Sequence, residues 1–191
     1  MVKSSISVGA GFWIRALART LDVLYGAVLG AVAGMFGGLL IFYMHQAGYF
    51  DPNYLVELKQ FSFLAIFLAL IGGFFYGAIT EGFYGASVGK LICGLRVLNE
   101  DGEPCGLKGA IIRNLGYFID ALFFGLVGYE SMKKTPLNQR FGDVWGKTVV
   151  VKTAEVPQGS NRSVLTFLAA LAAASFFQSV MIVAGLLVKL L

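Results

Sequence analysis

Charge is what this sequence has least of. Of its 191 residues only 14% are Asp, Glu, Lys or Arg, against 57% that are hydrophobic. A soluble domain carries about 25% charged residues, so a water-facing globule is a poor fit. The mean hydropathy of +0.75 places the chain in the membrane class. Histidine occurs once, as His45, and cysteine twice, as Cys93 and Cys105. A lone histidine with no nucleophile at a recognisable spacing argues against enzyme chemistry. Two cysteines without a histidine partner make neither a disulfide framework nor a metal site. Basic stripes interleaved with exposed aromatics are also missing, so the net charge of +4 does not point to nucleic acid. A cleavable leader is not expected either: the first apolar run is too long, contains Arg19 and Asp22, and lacks an A-x-A site.

Long apolar runs are abundant instead. Leu21 to Met44 is apolar apart from Asp22, Phe61 to Thr80 has no charge, and Val164 to Val188 is interrupted only by Ser175, Gln178 and Ser179. Each is long enough to cross a ~30 Å hydrocarbon core as a helix. Asn114 to Tyr129 is shorter and contains Asp120, Gly125 and Gly128. If it enters and returns, thirteen of the fifteen basic residues share one side, leaving Lys59 and Lys189 opposite; if it spans, the split is eight to seven. The positive-inside rule selects re-entry, with the amino terminus in the cytoplasm of a multi-pass protein of the cell inner membrane. Cys93 to Leu98 and Thr148 to Lys152 read as short strands, the first closed by the turn Asn99-Glu100-Asp101-Gly102.

The expected fold is therefore an all-α integral membrane protein with three transmembrane helices, a short re-entrant helical hairpin and a small two-stranded cytoplasmic β element. The expected membrane domain covers 1–152, with helices at about 14–44 and 61–82 and the hairpin at about 108–132. A linker follows at 153–163, then an additional transmembrane helix at 164–191.

Small residues recur at every fourth position: Gly26, Gly30, Gly34 and Gly38 on the first helix, and Ala65, Ala69, Gly73 and Gly77 on the second. An antiparallel hairpin would press these faces together. Asp22 and Glu81 extend the two faces and should approach each other, with Arg15, Arg19 and Lys90 as the available cations. Arg15 and Asp22 are seven residues apart, as are Arg113 and Asp120. That is roughly 10.5 Å along a helix, too far for a direct pair, so crossed pairs are expected, Arg15 with Asp120 and Arg113 with Asp22. Arg140 and Asp143 form a further pair in QRFGD. Ionisable groups facing a bundle interior are either an electrostatic clasp or an ion or proton path. The path candidates are Arg15, Asp22, Glu81, Arg113, Asp120 and Asp143.

Other features carry less. GASVGK has three residues between its glycines and runs into Leu91, so it is no phosphate loop. The loop HQAGYFDPNYLVE, with His45, Asp51 and Glu57, reads as an interfacial turn anchored by Tyr43, Tyr49, Phe50 and Tyr54. Lys133, Lys134 and Arg140 are placed to meet anionic lipid head groups. No cofactor or metal is expected.

Four stretches carry a resemblance: GFWIRALARTLD, EGFYGASVGKLICGLRVLNEDG, RNLGYFID and RFGDVWGKTVVV. In this order and spacing, from about Gly11 to Lys152, the chain resembles the RDD family of small membrane proteins, named for one arginine and two aspartates. Asp120 and Asp143 both stand as candidates for the second aspartate, and Ser87 replaces the usual threonine. The resemblance implies a small transporter exchanging sodium or another cation for protons, with Asp22 and Glu81 as the exchanging carboxylates and an oligomer as the working unit. The other class that fits is a non-catalytic subunit of a larger membrane complex, with the last helix, outside the resemblance, serving a partner.

Overall fold

The structure is a computed structural model that describes residues 8–49, 63–120 and 122–187. Lys3, Phe50, Asp51, Tyr54, Glu57, Lys59 and Lys189 lie outside these residues, as do the ends of the second and last expected helices.

Three long helices dominate: α1 (Phe12–Gln46), α2 (Phe63–Tyr84) and, last in the chain, α7 (Val164–Leu187). All three are long and apolar enough to cross a membrane. Only 17, 28 and 22% of the residues in their apolar windows are buried, so most of each surface faces outward and apolar, as lipid requires. The α1 stripe that is buried runs Arg15, Ala18, Asp22, then Ala33, Gly37, Ile41, a three-to-four-residue period. Trp13 and Tyr43 stand exposed near its two ends. They are about 45 Å apart along the axis.

Between α2 and α7 the chain builds a compact lobe on one end of the bundle. A five-residue helix α3 (Val88–Ile92) leads into β1 (Leu95–Asn99), and α4 (Gly106–Asp120) follows. A 3-10 turn, Leu122–Gly125, reverses the chain into α5 (Leu126–Lys133); α6 (Phe141–Trp145) then leads to β2 (Thr148–Lys152). The reversal places Phe123 and Gly125 at positive φ, with Phe123 exposed at its apex. The helix-break-helix expected over 108–132 is present, beginning at Gly106 and ending at Lys133.

The two expected strands do pair, antiparallel, from Leu95 opposite Lys152 to Asn99 opposite Thr148. The turn after β1 closes through the Gly102 amide on the Asn99 carbonyl at 2.9 Å, with Gly102 at φ +85°. Alternation sorts the side chains: Leu95, Val97 and Val150 join Ala10, Ala18 and Ala110, while Leu98, Val149 and Val151 pack toward Leu137 and Val156. A two-stranded ribbon is stable here because both faces are covered.

The last helix corrects one expectation. The glycine face of α1 does not press on α2, because α7 sits against both. A Cβ on Gly26 would meet Gln178 and one on Gly30 would meet Ile182, both on α7, while Gly34, Gly38 and Gly73 face nothing within 4 Å and Gly77 faces Asn114 of α4. On the other side Gly72 lies against Gln178 and Gly185 of α7 against Ala65. These contacts run in register, Tyr25 with Ser175 through to Gly37 with Leu186, so α7 is parallel to α1 and antiparallel to α2. Of the period-four glycines on α1, Gly26 and Gly30 thus pack against a helix about 150 residues away in sequence, and Gly34 and Gly38 pack against nothing among the described residues.

Candidate functional site

The lobe is fastened to the bundle by a chain of buried charges. Glu81, near the end of α2, receives Lys90 of α3 on one carboxylate oxygen at 2.6 Å and Arg113 of α4 on the other at 2.5 Å. Asn114 adds a third donor at 3.2 Å. Arg113 reaches onward to Asp143 of α6, with its Nε 3.1 Å and its Nη2 3.0 Å from Oδ1. The second Asp143 oxygen takes Arg15 of α1, the Arg140 amide at 3.1 Å, and the Arg140 guanidinium at 3.7 Å. Five elements, α1, α2, α3, α4 and α6, are thus joined by two carboxylates.

The side chains of Arg15, Arg113, Glu81 and Asp143 are each at most 5% exposed. A charge at such burial needs partners on every oxygen and most N–H groups, and the chain provides them. Burial alone would raise the Asp143 carboxyl, but Arg15, Arg113 and Arg140 together outweigh it and hold it far below the ordinary carboxylate range. Lys90 lies below its ordinary value because burial outweighs Glu81. Burial pushes the Cys105 thiol up to about 12, and both cysteines are free.

Close backbone approach makes these pairs geometrically feasible. A Cβ on Gly116 would strike Gly142 and one on Gly142 would strike the Arg113 carbonyl, so α4 and α6 touch backbone to backbone. Gly89 likewise abuts the Ala18 carbonyl, seating α3 on α1.

Asp22 and Asp120 are satisfied differently. Asp22 accepts the Ser87 hydroxyl at 2.6 Å, the Gly89 amide at 2.8 Å and the Tyr76 hydroxyl at 3.3 Å. It has no basic side chain within ion-pair distance among the described residues. Asp120 accepts the Phe141 and Gly142 amides at 3.1 and 3.3 Å, with Arg140 at 3.9 Å. Burial raises its carboxyl above the ordinary value, with Arg140 and the two amides opposing.

Arg15, Asp22, Glu81, Arg113, Asp120 and Asp143 therefore gather at one end of the bundle, but the expected crossed pairs do not form. Arg15 pairs with Asp143 rather than Asp120, and Arg113 pairs with Glu81 and Asp143 rather than Asp22. Helical spacing places Asp22 and Asp120 correctly on inward faces, yet each is used at the start of a short helix, α3 and α6, where free amides need acceptors. Nor do Asp22 and Glu81 act as a pair: the cations go to Glu81 and neutral donors to Asp22.

Several residues in the site gave no sequence signal. Asn138 holds Arg15 through its carbonyl at 3.0 Å and turns at positive φ. Gln139 ties Glu100 to the Thr148 carbonyl. Tyr84 takes Arg96 on its ring face, carbonyl and hydroxyl. Gln178 of α7 is 8% exposed, and its Oε1 lacks a hydrogen-bond partner. Gln178 was visible as a polar break in an apolar run; the others were not.

Two of the cavities at this end of the bundle border the charged groups on α1. One, about 200 Å³, lies among α1, α2 and α7 and is bordered by Asp22, Tyr76, Gln178, Arg19 and glycines 26 and 73. The other, about 300 Å³, lies between α1 and the α4–α5 reversal.

Three helices able to cross a bilayer, with an arginine–carboxylate clasp at one end, define a small polytopic class of chain. The RDD family model matches residues 9–147, and this chain belongs to the RDD family. It is 30% identical over 127 residues, 60% of this chain and 80% of the other, to the Bacillus subtilis (strain 168) protein named "Uncharacterized protein YxaI". No solved structure matches it.

Proposed function

We propose that this RDD-family protein exchanges a cation for a proton at Asp22, in the membrane and as a homo-oligomer. In this reading α1, α2 and α7 cross the bilayer and the charged end faces the cytoplasm. The parallel course of α1 and α7 supports an odd number of crossings. The α4–α5 hairpin enters and leaves on the charged side, with Leu115, Phe118, Phe123 and Leu126 exposed toward lipid.

The observation that carries the reading is the 200 Å³ cavity, where Asp22, with no basic side chain within ion-pair distance among the described residues, shares a wall with the Tyr76 hydroxyl, the unpaired Gln178 Oε1 and Arg19. An intramembrane carboxylate beside neutral oxygens suits either a proton or a weakly hydrated cation. Glu81 and Asp143, each held by at least two cations, are fixed parts of the frame. Gly34 and Gly38, open on the α1 surface, offer the close-approach face for a second copy.

Asp22→Asn keeps one acceptor for the α3 amide and removes the exchangeable charge. In proteoliposomes it is expected to abolish cation-dependent proton movement with elution volume unchanged. Undiminished flux would end the proposal. Orientation is tested by cysteine labelling at Lys134 and Gly159, both exposed, in a background with Cys93 and Cys105 replaced by Ala; labelling from outside intact cells reverses the topology.

A second reading is favoured by the clasp itself: a rigid frame of buried ion pairs is also what an accessory subunit of a larger membrane complex needs. Purification in mild detergent followed by mass spectrometry separates the two, since a partner in fixed stoichiometry belongs to this reading and a lone homo-oligomer to the first.

A further inference from the structure

The larger cavity is walled by arginines. Arg15, Arg19 and Arg140 line it, together with Phe12, Asp120 and Met132. Arg15 and Arg140 are engaged with Asp143. Arg19 is not: no carboxylate lies within ion-pair distance of it among the described residues, its Nε is buried without a hydrogen-bond partner, and its guanidinium lies 4.4 Å from the Tyr117 ring centroid. Arg140 flanks the same ring at 5.5 Å, and its Nε is also buried without a hydrogen bond. Counted over this end of the bundle, Arg15, Arg19, Lys90, Arg113 and Arg140 face Asp22, Glu81, Asp120 and Asp143, one cation in excess. A partly buried guanidinium that lines a cavity and keeps an unused N–H can donate to an anion there.

We infer that this cavity binds a phosphate ester, with the guanidinium of Arg19 as its main ligand, Arg140 beside it, and the phosphate of an anionic lipid as the occupant. Asp120 is the one acid on the wall. Its oxygens are turned to the Phe141 and Gly142 amides, with Arg140 at 3.9 Å, so that its charge is offset in part on the α6 side. Depth and lining identify a lipid. A 35-residue α1 is about 52 Å long, well beyond a ~30 Å hydrocarbon core. Its first turns, Phe12 to Thr20, therefore reach head-group depth. Phe12 and Met132 give the cavity an apolar side, and the neighbouring Trp13, Leu17 and Leu126 are exposed, a surface along which acyl chains lie. Lys133, by contrast, is spent on Glu130 at 2.8 Å and on the Tyr129 ring. The head-group site is thus the Arg19 cavity and not the Lys133–Lys134 surface.

The site does not depend on cation exchange, and its test needs no flux. Full-length protein, delipidated in detergent, is titrated with phosphatidylglycerol, with phosphatidylcholine and with inorganic phosphate while thermal unfolding is followed. Phosphatidylglycerol is expected to stabilise in a saturable way, and Arg19→Gln to weaken that binding about tenfold. Lys133→Gln with Lys134→Gln should leave it within about twofold. Ala16→Phe, which fills the cavity and keeps every arginine, is the second variant should Arg19→Gln not fold; it too should lose the lipid effect. Inorganic phosphate giving the same Arg19-dependent effect keeps the phosphate site and replaces lipid by the free ion. Equal affinity in wild type, Arg19→Gln and Ala16→Phe, or loss only in the lysine double variant, overturns the site.

Discussion

The two ends of the helical bundle are held by opposite means. At the charged end, elements far apart in sequence meet through ion pairs: Arg15 to Asp143 spans 128 residues and Arg113 to Glu81 spans 32. At the other end α1, α2 and α7 meet through the absence of side chains, Gly37 against Leu186 and Val183, and Gly185 against Ala65. If the far end lies in lipid, as proposed, no hydrophobic drive brings its helices together and it relies on fit alone. The charged end can specify partners, because an unpaired buried charge costs far more than a poor van der Waals contact.

The sharpest break of that contrast is Asp143→Ala. It leaves Arg15 and Arg113 buried without their common carboxylate and should cost ~3–5 kcal/mol. Thermal unfolding in detergent checks it; a melting temperature near that of wild type would mean the clasp does not hold the lobe. Gly142→Ala comes next, since the new methyl group must displace the Arg113 backbone, at about 1–3 kcal/mol. Gly34→Ala, at the far end and facing open space within one copy, should instead leave the fold of the single chain neutral or stabilised by up to about 1 kcal/mol, whatever it does to the second-copy face. Equal losses from Gly142→Ala and Gly34→Ala would erase the distinction between the two ends.

The same contrast explains what the sequence revealed. Spans, the helix-break-helix and the strand pair were legible because each is a local pattern of hydropathy or turn chemistry, and the charged residues were legible because charge is rare here. Their partners were not. Helical periodicity puts Asp22 and Asp120 on inward faces, but says nothing of the short helices α3 and α6 whose amides claim them. Tyr76, Asn138 and Gln139 serve through a hydroxyl, a carbonyl and an amide that many sequences carry without such a role. The glycine repeat pointed to close packing, and only the position of α7 shows which helix receives it.

The smallest effect separates the two aspartates of α4 and α6. Asp143 has a folded value far below its unfolded one of about 3.9, so its contribution is complete above about pH 4 and fades only as the pH falls toward the folded value. Asp120 has the opposite sign. Its folded value is raised, so the folded state takes up a proton before the unfolded state does, and stability rises as pH falls through that interval. Melting temperatures measured between about pH 7 and pH 4 should therefore show no loss assignable to Asp143 and a small gain that Asp120→Asn removes. A gain of stability already between about pH 6 and 5 that disappears in Asp143→Asn would show instead that burial raises the Asp143 carboxyl and that its three arginines do not hold it down. The clasp would then be a weaker fastening than its geometry implies.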